Sequence, residues 1–314
     1  MIRRSFDDVT VIVRECGERT RDRCVGLLTA LCGRDDVTRV AAADFATVLR
    51  RSLEAGLAAG RRWTLCIDAD VLPMPALAAL VSSARRLEHD VFAVQGLVVD
   101  KLLLCRRPAG NHLYRTRYIE HALPLIGHGE VRPETAMIQA MAARGYGLYQ
   151  ARTVVGLHDH QQYLADLYGK AWLHGHKHSQ LGDLLVSAWQ ARAAADADYR
   201  VALAAFAAAR SRPGTPRLAR SETAASAGAA LRELGLDEKP PLAPAAPGTL
   251  AIVSSSDLPT WVPAVDAALE RWFEAAVFPP GRRFRRLRRR LLTPLRAARR
   301  LLRMGGDQSG PDPV

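Results

Sequence analysis

An α/β fold with a mostly helical C-terminal extension is predicted by three features of the 314-residue sequence. Apolar, β-branched runs at 9–13, 63–67 and 91–99 alternate with segments of helical periodicity, the pattern of strands joined by crossover helices. The middle run ends abruptly in Asp68-Ala-Asp70-Val-Leu-Pro73, as expected of a buried strand delivering acids to the carboxyl edge of an open sheet. Beyond about residue 180, Ala-rich helical patterns replace the strand signals.

Val9-Thr-Val-Ile-Val13 is a first strand, followed by the loop Arg14–Thr20 and an amphipathic helix carrying Cys24, Leu27, Leu28 and Leu31 up to Gly33. A second strand over 37–42 leads to Asp44, a suitable N-cap for a helix from Phe45 to Ala59 that Gly60 ends. The third strand carries the two acids, so the order β-α-β-α-β predicts parallel pairing with right-handed crossovers. A helix over 74–87 and a strand over 91–99 follow; from Asn111 the pattern loosens into polar loops, until a helix over 134–144 stops at Gly145. Val154–Leu157 reads as a last short strand that opens onto His158-Asp159. Helical periodicity then runs, with breaks, from Tyr163 to about Arg210 and again over 260–277; 211–216 and 239–248 are linker-like by their Pro and Gly content.

The net charge of +12 is local. Eleven of the 44 Lys and Arg residues are arginines between Arg282 and Arg303, a stretch with no acid, and the other 33 nearly balance 32 Asp and Glu. A nucleic-acid groove spread over the fold is therefore not expected, and no nucleic-acid partner is assigned. Cys16, Cys24, Cys32, Cys66 and Cys105 lack any Cys-x-x-Cys spacing and read as reduced, mostly buried thiols. The short apolar run at 9–13 is not a signal segment, and no window nears eighteen apolar residues, so a cytoplasmic protein without a transmembrane span is expected.

Two carboxylates two residues apart at a strand end suit a hard divalent cation, Mn²⁺ or Mg²⁺, shared with substrate phosphates. In this setting the chain, over about residues 8–180, resembles the family 2 glycosyltransferases of bacterial type. Val11-Ile-Val-Arg14-Glu15 looks like that family's opening strand and nucleotide loop, and Asp44 resembles its base-contacting acid. Asp68-Ala-Asp70 matches its Asp-x-Asp, with Asp70 at the metal-ligand position. Arg132-Pro-Glu134 through Gly145-Tyr146 is similar to its Glu-Asp helix, in which the Asp precedes a Gly by eleven residues; here that position is Glu134, with Pro133 where a Glu is usual. His158 looks like the late histidine that completes the metal site.

The resemblance implies the GT-A fold, a Rossmann-like mixed sheet flanked by helices, and a metal-dependent, inverting transfer of one sugar from a nucleotide-diphosphate sugar to an acceptor hydroxyl. It implies Asp70 and His158 as metal ligands and Glu134 as the catalytic base. Arg14, Glu15, Asp44, Asp68 and Lys101 would contact the donor. Glu in place of Asp lengthens the base by one methylene. The Gln-x-x-Arg-Trp signature of processive members does not follow Gln161-Gln162, which favours transfer of a single sugar. His112, Tyr114, Arg115 and Arg132 could contact acceptor or phosphate or belong to an ordinary polar loop; Asp159 is either a partner of His158 or a helix cap. His174, His176 and His178 lack the Glu of a His-Glu-x-x-His helix and read as a polar face.

The domains expected are a catalytic domain over 1–180, a helical extension with Pro-rich linkers over 181–280, a basic amphipathic tail over 281–304 and a disordered terminus over 305–314. In the tail, Phe284, Leu287, Leu291, Leu295, Ala298 and Leu302 form one apolar stripe through the arginines. Such a helix suits an anionic leaflet. The expected acceptor is accordingly a lipid-linked or cell-surface polysaccharide, and the expected location the inner face of the cell membrane. Two other readings stay open: an inactive relative that binds nucleotide sugar as an interaction module, and a nucleotidyltransferase, although the loop after the first strand has only one Gly.

Overall fold

A computed structural model describes residues 6–33, 35–127, 132–177, 181–211, 220–243 and 261–277. His178 and the expected tail and terminus, 281–314, lie outside the described residues, as do 212–216 and 244–248 of the two expected linkers. The chain divides into two compact units, Met1–Glu270 and Arg271–Val314; of the second, only the end of one helix is described.

The first unit opens as expected with β1 (Val9–Glu15), α1 (Arg21–Cys32), β2 (Thr38–Ala41), α2 (Phe45–Ala59) and β3 (Trp63–Asp68). The strands pair in parallel, β1 between β2 and β3, and β1 is buried along its whole length. The Asp44 side chain accepts from the Thr47 N–H at 2.9 Å, so it does cap α2. Gly60 ends that helix at φ +65°, in the left-handed region that costs other residues about 1–2 kcal/mol.

After β3 the chain departs from a purely parallel sheet. β4 (Val71–Pro73) precedes α3 (Ala76–Ala84), which is shorter than the helix expected over 74–87. Next come β5 (Val91–Asp100), β6 (Cys105–Pro108) and β7 (Asn111–Arg115). The expected loop at 111–115 is in fact an inner strand: β7 lies antiparallel between β3 and β5, and all five of its residues are buried. Its polar side chains hid it, and each has a partner inside: Asn111 accepts from the Gly96 N–H at 2.7 Å, and Arg115 donates to the Val91 carbonyl at 3.0 Å.

A short helix α4 (Ile119–Ala122) leads towards α5 (Pro133–Ala143), with Pro133 at its first position, where no N–H is needed. β8 (Gly147–His158) is three times the length of the strand expected at 154–157. It runs parallel to β5 and antiparallel to β4. The sheet order is β2-β1-β3-β7-β5-β8-β4, with β6 on β5. The fold is thus α/β with a mixed sheet flanked by helices.

The helical extension comprises α6 (Leu164–Lys177), α7 (Gly182–Gln190), α8 (Ala197–Arg210), α9 (Arg220–Glu233) and α10 (Pro263–Val277). Tyr168, Leu185, Trp189, Phe206, Leu231 and Val265 share one apolar core with Leu102–Cys105, the turn after β5. The described part of the extension is therefore packed onto the sheet domain. All five cysteines are free, and only Cys16 is not buried.

Candidate active site

Sheet register builds the site at the carboxyl ends of β1 and β3. Alternation along β3 puts Thr64, Cys66 and Asp68 on one face. Pairing places Arg14 beside Asp68, His112 beside Cys66, and Tyr114 beside Thr64. That face meets α5. The buried Arg14 guanidinium donates through Nε to Asp68 Oδ1 at 2.6 Å and through Nη1 to Glu134 Oε1 at 2.5 Å; Nη2 lies 3.5 Å from Oε2. The Tyr114 hydroxyl also donates to Oε1, and His112 Nδ1 lies 3.1 Å from it.

These contacts decide the ionisation of the two acids. Burial alone would raise the Glu134 carboxyl, but Arg14 and then His112 outweigh it and hold Glu134 well below the usual carboxylate range. Asp68 goes the other way: burial lifts it, Arg14 only partly offsets that, and Asp70 and Glu134 add to the rise. Cys66 beneath them is pushed up by burial to about 12, which keeps the thiol protonated and inert.

A second cluster is built by β4 and β8. Val71 stands opposite His158, and Asp100 at the end of β5 stands opposite the same histidine. His158 Nε2 lies 3.6 Å from Asp70 Oδ2, and its Nδ1 lies 3.0 Å from both Asp100 Oδ2 and Asp159 Oδ2. Asp70, His158 and Asp159 each offer one ligand atom, all within 4.8 Å of one another, and all three residues are buried. Asp159 thus joins the cluster. It holds φ +58°, and Gln161 holds φ +57°, strain of the kind that gathers at functional sites.

The residues present suit a divalent cation. Among the described residues, Asp70 Oδ1 is buried with no hydrogen-bond partner, as a free ligand oxygen would be, and Asp159 Oδ2 has only the His158 imidazole beside it. A carboxylate on the far nitrogen of His158, here Asp100, is the usual orienting device of a ligating imidazole. Asp100 is itself held by Arg107 Nε at 2.6 Å and the Leu103 N–H at 2.7 Å. Without an ion, burial would depress the imidazole, but Asp159, Asp70 and Asp100 push it up to about 10. Asp70 lies well below the usual carboxylate range, because Lys170 and His158 outweigh its burial.

The two clusters are joined through the backbone of the Asp-x-Asp segment. The Ala69 N–H donates to the Arg14 carbonyl at 2.9 Å, and the Asp68 N–H to the Gly110 carbonyl at 2.8 Å. Gly110 has φ +58°, and a Cβ there would stand 2.5 Å from Val71 Cγ2 and 3.2 Å from Asp68 Oδ2. Thr20 Oγ donates to the Ala69 carbonyl and accepts from Gln162 Nε2, which ties the loop after β1 to the loop after β8.

The other residues expected at the site have partners of their own. The Lys101 ammonium pairs with Asp196, at 2.9 Å, and Asp198, at the N-terminus of α8. Arg115 stands opposite Trp63, at the start of β3, so it is about 16 Å along the strand from Asp68 at 3.3 Å per residue. Its donors go to the carbonyls of Val91, Leu87 and Glu88. The place of Arg115 follows from β7 being a strand. Glu15 accepts from Arg39 Nε at 2.5 Å and Nη2 at 3.0 Å, Asp44 is exposed beyond its cap, and Arg132 precedes α5, its guanidinium lowered by burial and by Arg107.

Glu18, Lys170 and the pairing of Asp100 with His158 escaped sequence reasoning. Glu18, in the loop after β1, is raised to about 7 by burial and by Asp70. Lys170 Nζ lies 2.5 Å from Asp70 Oδ2 and also contacts Asp159. The only sequence signal was rarity: the chain has four lysines against forty arginines, and Lys101, Lys170 and Lys239 all pair with acids here.

No family model matches the chain, and no curated protein matches it. Among solved structures, it is similar to the crystal structure of a glycosyltransferase involved in the glycosylation of the major capsid of PBCV-1. That match has 12% identity and a TM-score of 0.35, over 48% of this chain and 92% of the other. It is also similar to the mannosyltransferase PcManGT from Pyrobaculum calidifontis in complex with GDP-Man and Mn²⁺, at 18% identity and a TM-score of 0.35, over 87% of this chain and 81% of that one.

Proposed function

We propose that this chain is a metal-dependent, inverting glycosyltransferase of the GT-A type and family 2, bacterial in kind, which moves one sugar from a nucleotide-diphosphate donor to an acceptor hydroxyl. The observation that carries the reading is the meeting of two clusters at one sheet edge: Asp70–His158–Asp159, with Asp70 Oδ1 buried and unpartnered, and Arg14–Asp68–Glu134.

Asp70, His158 and Asp159 would hold Mn²⁺ or Mg²⁺, with Asp100 orienting the imidazole. A bound divalent ion supplies charge neutralisation for the departing nucleoside diphosphate. Asp68, fixed by Arg14, would meet the donor ribose, and the loop after β1 with Glu15 and Asp44 would face the nucleotide. Glu134 would take the acceptor proton. It is ionised at neutral pH, and Oε2 is its less engaged oxygen, since Arg14 Nη1 and Tyr114 both donate to Oε1. A carboxylate held this low is a weak base, so the acceptor hydroxyl must draw one of those donors away as it arrives.

The arginine stripe at 282–303 supports an acceptor at an anionic membrane surface, such as a lipid-linked or cell-surface polysaccharide, with the protein at the inner face. No helix among the described residues is long and apolar enough to cross a membrane.

The test is calorimetric titration of UDP-, GDP- and dTDP-sugars with and without Mn²⁺, comparing wild type with Asp70→Ala. Metal-dependent binding of one donor, lost in the variant, is expected. Failure of every donor to bind would overturn the proposal.

A further inference from the structure

The Asp70–His158–Asp159 cluster already contains a cation that belongs to the chain. Lys170, on α6, places its ammonium 2.5 Å from Asp70 Oδ2 and in contact with Asp159 Oδ1, one oxygen from each of the two carboxylates that a metal would need. Of the oxygens it leaves, Asp70 Oδ1 is buried without a hydrogen-bond partner and Asp159 Oδ2 lies against the His158 imidazole. An incoming divalent ion would find half of its carboxylate ligands occupied and a positive charge within a few ångströms.

We propose that Lys170 holds the cation position in the free protein, so that a divalent ion and a diphosphate enter the site together. The inference rests on reading the cluster as a diphosphate site. The diphosphate supplies what the ion alone does not: new acceptors for the ammonium, which frees Asp70 Oδ2 and Asp159 Oδ1 for the metal. Lys170 can make that exchange without movement of the helix, because its side chain is 29% exposed and ends a flexible four-carbon stem. By linkage, the ion and the nucleotide then strengthen each other's binding by the same factor. The device keeps the buried acids neutralised between turnovers and prevents a metal from occupying the site without its substrate.

The experiment is titration of Mn²⁺ followed by the electron paramagnetic resonance of the free ion, for wild type, Lys170→Met, Lys170→Gln and Lys170→Arg without nucleotide. Wild type and Lys170→Arg should bind weakly, and the two neutral variants at least ten times more tightly; a smaller gain, or no binding by any protein, overturns the proposal. A second titration needs only wild type: GDP or UDP, with metal–nucleotide association in the buffer subtracted, should tighten Mn²⁺ binding at least tenfold. Equal Mn²⁺ affinity with and without a bound nucleotide overturns it as well. If no nucleotide binds wild type while the neutral variants gain the ion, the glycosyltransferase reading and the joint entry both fail, and Lys170 is left only as the occupant of the cation position.

Discussion

Arg14 and Glu134 are 120 positions apart in sequence, yet Nη1 of one donates to Oε1 of the other at 2.5 Å, and the same guanidinium holds Asp68. The strand that carries Asp-x-Asp and the helix that carries the proposed base thus share one buried cation. Arg14→Met should leave a buried and a half-buried carboxylate without it and destabilise the fold by about 3–5 kcal/mol at pH 7, the usual cost of breaking a buried ion pair from one side. Chemical denaturation checks this. The deficit should shrink at low pH, where both acids can protonate; a deficit that stays constant with pH would show that the loss is packing alone.

Gly110 offers a separate test of how tightly the Asp-x-Asp segment is seated. Gly60→Ala meets only the left-handed strain, since nothing lies within 4 Å of its Cβ, whereas Gly110→Ala meets that strain and a 2.5 Å approach to Val71. Gly60→Ala should cost about 1 kcal/mol and Gly110→Ala about 1–3 kcal/mol more. Only the second should weaken Mn²⁺ binding in the presence of nucleotide, because Val71 is the neighbour of Asp70. Equal costs in thermal or denaturant unfolding would mean that the β4 backbone relaxes freely.

Lys101 allows a test between a donor contact and a structural ion pair. Its ammonium pairs with Asp196 and Asp198, and Asp198 is shared with Lys239. Lys101→Met should therefore lower stability by about 1–3 kcal/mol, the cost of depriving a buried charged group of a partner, and leave donor affinity within twofold. A tenfold loss of donor binding in calorimetry would return Lys101 to the phosphates.

What was legible in the sequence followed periodicity. The β-α-β-α-β opening, the Asp44 cap, the Asp68–Asp70 strand end and the helix at Glu134 all have short-range signatures. Strand β7 had none, because Asn111, His112 and Arg115 are buried polar residues whose partners are set by tertiary structure, not by alternation. Lys170 lies 100 positions from Asp70, and Asp100 reaches His158 only through the β5–β8 register; no spacing rule links such pairs. The distinction between Lys101 and Lys170, one committed to a helix terminus and the other to the proposed metal cluster, appears only in three dimensions.

The arginine tail makes a prediction that needs no fold. A protein ending before Gly281 should lose binding to vesicles containing anionic lipid, each surface arginine contributing about 1 kcal/mol, while its affinity for the donor is unchanged. Co-sedimentation with vesicles measures the first and calorimetry the second. Unchanged sedimentation would remove the membrane from the proposed function without touching the site.

Glu134→Gln tests the base and its ionisation together. The folded carboxyl lies below its ordinary 4.5, through Arg14 and His112 acting against burial. A depressed acid contributes stability that is present above the unfolded value and lost as pH falls through the folded one. The stability difference between wild type and Glu134→Gln should therefore be largest and flat above about pH 5 and should narrow steadily below that, as denaturation at a series of pH values would show. If Glu134 also takes the acceptor proton, the amide should bind the donor with wild-type affinity and lose turnover by roughly two to four orders of magnitude. A variant with the stability change but full turnover would confine Glu134 to holding Arg14, Tyr114 and His112 in place, and the base would have to be sought among the other acids of the site, with Glu18, raised to about 7, the first to be substituted.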